Sequence, residues 1–168
     1  MDPIKLLEDD HRKVKRLMAE CARLDGDGTS GGRGDGDAAG QRTALFDEIR
    51  REMTVHEIIE EEIFYPALRE HPRAKDEVLE GIQEHHVVDT LMGELVDTPA
   101  HDERWPAKFK VMQENVEHHI EEEEGTMFPT ARKVFDKDEL QDLGGRMERR
   151  KQEAMASASL PEPPSVSA

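Results

Sequence analysis

Aromatic residues make up only 4% of this chain, with a single Trp105 and a single Tyr65. Sandwiches and barrels of this length draw their cores from aromatic and β-branched residues, so the shortage argues against a β fold. Cysteine is rarer still. Cys21 stands alone, which excludes an intrachain disulfide and any thiolate-built structural zinc site. No stretch approaches the roughly 18–20 consecutive apolar residues of a membrane helix, and the opening run Met1 to Asp10 is too acidic for a signal peptide. These absences predict a soluble protein of the reducing cytoplasm. Positive charge is also short: 23 Lys and Arg against 39 Asp and Glu give a formal net charge of −16. Such a surface repels phosphate backbones and anionic lipid, so neither nucleic acid nor membrane is an expected partner, and cations are.

What is present suits amphipathic helices. Charged residues account for 37% and hydrophobic ones for 35% of the 168 residues, enough for one domain with a core. An all-α fold is predicted. Asp2 before Pro3 opens a helix that runs to about Leu24. Residues 25–40 are too rich in glycine for helix or strand and read as a flexible Gly/Asp loop. Further helices are expected over about 41–70, 73–96 and 105–134, with short connectors that make neighbours antiparallel. Asp136 and Glu139 form a capping box for a weaker fifth helix to about Ala156, strained by Gly144 and Gly145 and packed outside the bundle or frayed. Residues 157–168 have the composition of a disordered tail. The expected organisation is a bundle over 1–135, the extra helix over 136–156 and the tail.

One segment occurs twice. His56-Glu-Ile-Ile-Glu60 followed by Phe64-Tyr65-Pro66 returns as His119-Ile-Glu-Glu-Glu123 followed by Met127-Phe128-Pro129. On a helix, residues four apart share a face, so each copy presents a histidine and a glutamate together. Both pairs fall in the apolar stripe of their helix, beside Ile49, Met53 and Ile63 in one case and Met112, Val116 and Met127 in the other. A second repeat matches Asp10-His11-x2-Val14-x2-Leu17-Met18 with Glu84-His85-x2-Val88-x2-Leu91-Met92, which puts His11 and His85 into the remaining two stripes and selects His85 over His86. A histidine in a core is ordinarily satisfied by a neighbouring polar group. The glutamates decide the matter, because an unpaired buried carboxylate costs several kcal/mol and neither stripe offers an inward Lys or Arg. Metal ligands are therefore predicted at His11, His56, Glu60, His85, His119 and Glu123. Glu57 and Glu124 are second choices, Asp89 shares the face of His85, and His86 and His118 lie about 100° off the ligand phase as edge or supporting residues. His71 and His101 read as solvated, and most of Glu60–Glu62 and Glu121–Glu124 as a solvated face. Tyr65, about 140° from Glu60 on an α-helix, is assigned to packing.

A lone histidine in the first helix, His-x3-Glu with a following Tyr-Pro in the second, His in the third, and His-x3-Glu-Glu with Phe-Pro in the fourth resembles the hemerythrin-like (HHE cation-binding) family over residues 3–135. The resemblance implies an up-down-up-down four-helix bundle around a non-haem di-iron centre. Its terminal ligands would be the four histidines, with Glu60 and Glu123 as bridging carboxylates. The oxygen-carrying members have a further histidine one turn after the helix-three ligand, where this chain has Asp89. The expected chemistry is reaction with, or binding of, peroxide, dioxygen or nitric oxide, in stress response or iron handling, including catalase-like activity, with no catalytic residues beyond the metal ligands. An iron- or oxygen-responsive sensor is the alternative. Manganese or zinc in place of iron is not excluded by ligand type.

Overall fold

The structure, a computed structural model, describes residues 1–24 and 35–157. The expected tail from residue 158 and the expected loop over 25–34 lie outside the described residues. Within them the chain is helical, without a strand. Helix α1 (Pro3–Arg23) starts as its sequence dictates: Asp2 caps it by accepting from the Ile4 and Lys5 amides, with Pro3 at the first position. Ile4, Leu7, His11, Val14, Met18 and Cys21 form its buried stripe.

Helix α2 (Asp35–Ile59) begins at Asp35, not at Gln41, so the flexible-loop expectation fails over 35–40. Ala38 and Ala39 are strong helix formers, and extending an existing helix by a turn costs far less than nucleating one. The chain then passes through a single π-helical turn, Glu60–Phe64, into the short α3 (Tyr65–Arg69). Helix α4 spans Lys75–Val96. Helix α5 (Trp105–Glu122) repeats the pattern: a π turn, Glu123–Met127, leads into α6 (Phe128–Val134).

Helix α1 packs on α2, α4 on α5, and α1 on α5. Contacts run in opposite order along each pair. Lys13 reaches Glu52 and Cys21 reaches Arg42, while Lys108 reaches Glu94 and Thr130 reaches Glu77. The apolar interior is split. One cluster gathers Ile4, Leu7, Phe64, Leu68, Val78, Met127 and Phe128; the other gathers Val14, Met18, Ile49, Val88, Trp105, Phe109 and Val116. Between these two dry plugs lies a polar layer.

Helix α7 (Lys137–Ala156) carries the predicted capping box and lies outside the bundle against α1 and α2. It buries Leu143, Met147 and Ala154 and is anchored by Arg150 on Glu62, at 2.6 and 3.0 Å, and by Arg51 on the Met155 carbonyl at 2.9 Å. Residues 52–59 of α2 and Glu60 after them are consequently all buried. Gly144 is no defect: a methyl group there would collide with the Met1 carbonyl oxygen. His71, expected in solvent, is half-buried with its ring edge-on to Phe135 at 5.1 Å.

Candidate metal centre

The polar layer is assembled one residue per helix turn. His11 from α1 meets His56 from α2, Nε2 to Nε2 at 3.2 Å, and His85 from α4 meets His119 from α5 at 3.0 Å. The glutamates at the heads of the two π turns join these pairs. Glu60 Oε2 lies 3.3 Å from both His56 Nε2 and His85 Nε2; Glu123 Oε2 lies 3.1 Å from His11 Nε2 and 3.5 Å from His119 Nε2. Each carboxylate thus touches one histidine of each pair. All six side chains are buried. They form two groups of converging ligand atoms, His11, His56, Glu60 and Glu123 in one and Glu60, His85 and His119 in the other.

The rear nitrogens fix how the rings are protonated. His11 Nδ1 faces Glu124 at 2.8 Å, His85 Nδ1 faces Glu61 at 2.8 Å, and His119 Nδ1 faces Glu84 at 2.7 Å. With a proton on Nδ1 serving its carboxylate, each ring in its neutral form presents the Nε2 lone pair, as a metal ligand must. His56 differs, with Asp10 Oδ2 3.6 Å from its Nδ1 and no hydrogen bond. Lone pairs and carboxylate oxygens therefore crowd a dry space, and both Glu60 oxygens and Glu123 Oε2 lack any hydrogen-bond donor. Acceptors facing acceptors repel. A cation resolves that, and the spacing suits one: two atoms each about 2.1 Å from an ion at right angles sit about 3.0 Å apart.

Electrostatics record the same frustration. Burial, reinforced by the charge of Glu123, pushes the Glu60 carboxyl well above its ordinary range. Burial also works against Glu123, but His119, His11 and His56 outweigh it and hold that carboxyl well below its ordinary value. Burial would lower His85, yet Glu60 and Glu61 raise it well above the usual imidazole range. His56 goes the other way, burial taking it down to about 4 against a partial pull from Asp10.

Tyr65 packs in the apolar cluster as expected, but it also reaches the site. Its hydroxyl donates to Glu123 Oε1 at 2.6 Å and lies 3.4 Å from His85 Nε2, and its ring stacks on His85 at 5.4 Å. The π turn is the reason. The Tyr65 amide bonds to the Glu60 carbonyl, five residues back, so Tyr65 returns above Glu60 instead of standing about 140° away. The Phe128 amide closes on Glu123 in the same manner, and the Phe128 ring stacks on His11 at 5.7 Å.

Of the secondary candidates, none enters either ligand group. Glu124, exposed, supports His11 from behind. Glu57 is fully buried without a hydrogen-bond donor, and burial with nearby Asp89 holds its carboxyl well above the ordinary range. Asp89 is half-buried, and His86 is exposed. The supporting acids Asp10, Glu61 and Glu84 were missed by pattern reading, although the repeats carry them: an acid precedes His11 and His85, and one follows Glu60 and Glu123.

A family model described as the Hemerythrin HHE cation binding domain matches residues 2–131, and the chain belongs to that family. An uncharacterized protein of Mycobacterium tuberculosis, Rv2633c, is 34% identical over 110 residues, covering 64% of this chain, and so is one of Mycobacterium bovis, Mb2666c. The match spans 65% of the length of those relatives. The crystal structure of a hemerythrin HHE cation binding domain-containing protein from Mycobacterium kansasii, described as an Rv2633c homolog, is 26% identical. It superposes with a TM-score of 0.72 over 92% of this chain and 90% of that one. No helix among the described residues is long and apolar enough to cross a membrane.

Proposed function

We propose that this chain is a non-haem di-iron protein in an up-down-up-down bundle, reacting with or binding peroxide, dioxygen or nitric oxide. His11 and His56 would hold one ion and His85 and His119 the other, with Glu60 and Glu123 placed to serve both. The carrying observation is the convergence of buried acceptors: Oε2 of each glutamate, which has no hydrogen-bond donor, stands within 3.1–3.5 Å of imidazole Nε2 atoms from both pairs. Bound iron would supply the change of redox state and the affinity for small oxygen and nitrogen ligands.

The remaining work belongs to the protein. The two apolar plugs exclude bulk water, so small molecules are the fitting reactants. Glu61, Glu84 and Glu124 hold the rings in register by accepting from Nδ1. The Tyr65 hydroxyl, hydrogen-bonded to Glu123, is a proton positioned at the edge of the site.

Anaerobic loading with Fe(II), followed by gel filtration and metal analysis, is expected to give about two irons per chain. The oxidised product is expected to show the visible absorption of a bridged ferric pair, and peroxide addition to release dioxygen at an oxygen electrode. In Glu60→Ala, uptake should fall to about one iron or fewer. A colourless protein with full zinc occupancy, or unchanged uptake in that variant, would refute the assignment.

A further inference from the structure

The internal repeat supplies its own control for what α7 does. Asp10 and Glu84 occupy equivalent places, each just before a site histidine, and each backs the histidine of the adjacent helix. They differ in what lies on their far side. Asp10, 6% exposed, is ion-paired through Oδ1 with Lys151 of α7. The other oxygen of Glu84 meets only the exposed ring of His118 at 3.4 Å. Among the described residues, no helix covers α4 and α5 as α7 covers α1 and α2.

A carboxylate behind a ligating imidazole strengthens it as a donor by drawing on its second proton. A cation fixed to that carboxylate withdraws part of its charge and claims its position. The structure registers the second effect. Three of the four rings sit 2.7–2.8 Å from their supporting acid, whereas Asp10 stands 3.6 Å from His56.

We infer that Lys151 is a positioning residue that makes the two halves of the centre unequal, so that the His11 and His56 half binds a divalent cation more weakly and fills second. The inference rests on the metal-centre reading above. The C-terminal helix thereby sets the loading order of the site through Asp10.

Titration of the metal-free full chain with Co(II) alone, followed by d–d absorption and chelator competition, tests it. Wild type is expected to load in two resolved steps. Lys151→Met should tighten the second step by about tenfold and leave the first unaltered, and Lys151→Arg should restore wild-type behaviour. His118→Lys, on an exposed position, installs a cation behind Glu84 and should weaken the first step by a similar factor. If Lys151→Met shifts neither step or both alike, or if His118→Lys leaves the first step in place, the inference is overturned. Should Lys151→Met fail to fold, as judged by its helical circular dichroism, the His118→Lys result decides. Two indistinguishable steps in wild type also overturn it while sparing the metal-centre reading; wild type that binds no Co(II) refutes that reading instead.

Discussion

A hydroxyl is what separates Tyr65 from its repeat partner Phe128. Both rings stack on a site histidine, at 5.4 and 5.7 Å, but only the tyrosine reaches a carboxylate. Tyr65→Phe is expected to keep the metal stoichiometry, lower stability by roughly 1–2 kcal/mol for the lost buried hydrogen bond, and shift the visible bands of the loaded centre. Thermal melts and absorption spectra check all three. Glu57 offers a prediction with a definite sign. Burial raises the folded carboxyls of Glu57 and Glu60 above 4.5, and Glu60 and Glu61 raise His85 above 6.5. Raised groups bind protons more tightly when folded, so the stability they contribute is complete below the unfolded value and is lost as pH rises. His56, lowered to about 4, acts in the opposite sense between there and 6.5, and its contribution is complete above that range. As pH rises above about 7 the chelator-stripped protein should therefore lose stability. Glu57→Gln should flatten that loss by on the order of 1–3 kcal/mol in urea unfolding.

At the level of the element, helical phase was legible and helical winding was not. Spacing of three and four put His11, His56, His85 and His119 inward, where the structure has them buried. Nothing in composition marks Glu60 or Glu123 as the head of a π turn, because that widening is imposed by what the turn must reach and not by local preference. The error on Tyr65 follows from it directly. The fifth helix was legible from its capping box, but one of its two glycines was misjudged. Gly144 is needed for contact with the first residue, whereas Gly145 is open, with nothing nearer than Arg149 Nη1 at 3.6 Å. Gly144→Ala should thus destabilise by about 2 kcal/mol or more and loosen α7. Gly145→Ala should stabilise by up to about 1 kcal/mol. Opposite signs at adjacent positions, read from melting temperatures and from limited proteolysis of α7, would establish how that helix is seated.

For the molecule as a whole, net charge sets the condition under which the fold must hold. A formal charge of −16 on 168 residues opposes compaction through self-repulsion, and mobile ions relieve it. The metal-free protein should melt several degrees higher at about 0.2 M NaCl than at about 0.02 M, and loaded protein should respond less. The duplication explains why so much of the centre could be read from sequence: two copies of one pattern identify their shared positions. What broke the twofold relation, α7 with Lys151, lay outside the repeat and so escaped it.

Glu60 and Glu123 come from opposite halves of the chain and meet at the same point. Closing the bundle therefore brings two carboxyl groups together in a buried layer, at a cost in free energy that a captured cation would offset. Ion capture would then tighten this layer, so amide hydrogens around the two π turns should exchange more slowly after loading than before, while those at the distal Trp105 end scarcely notice.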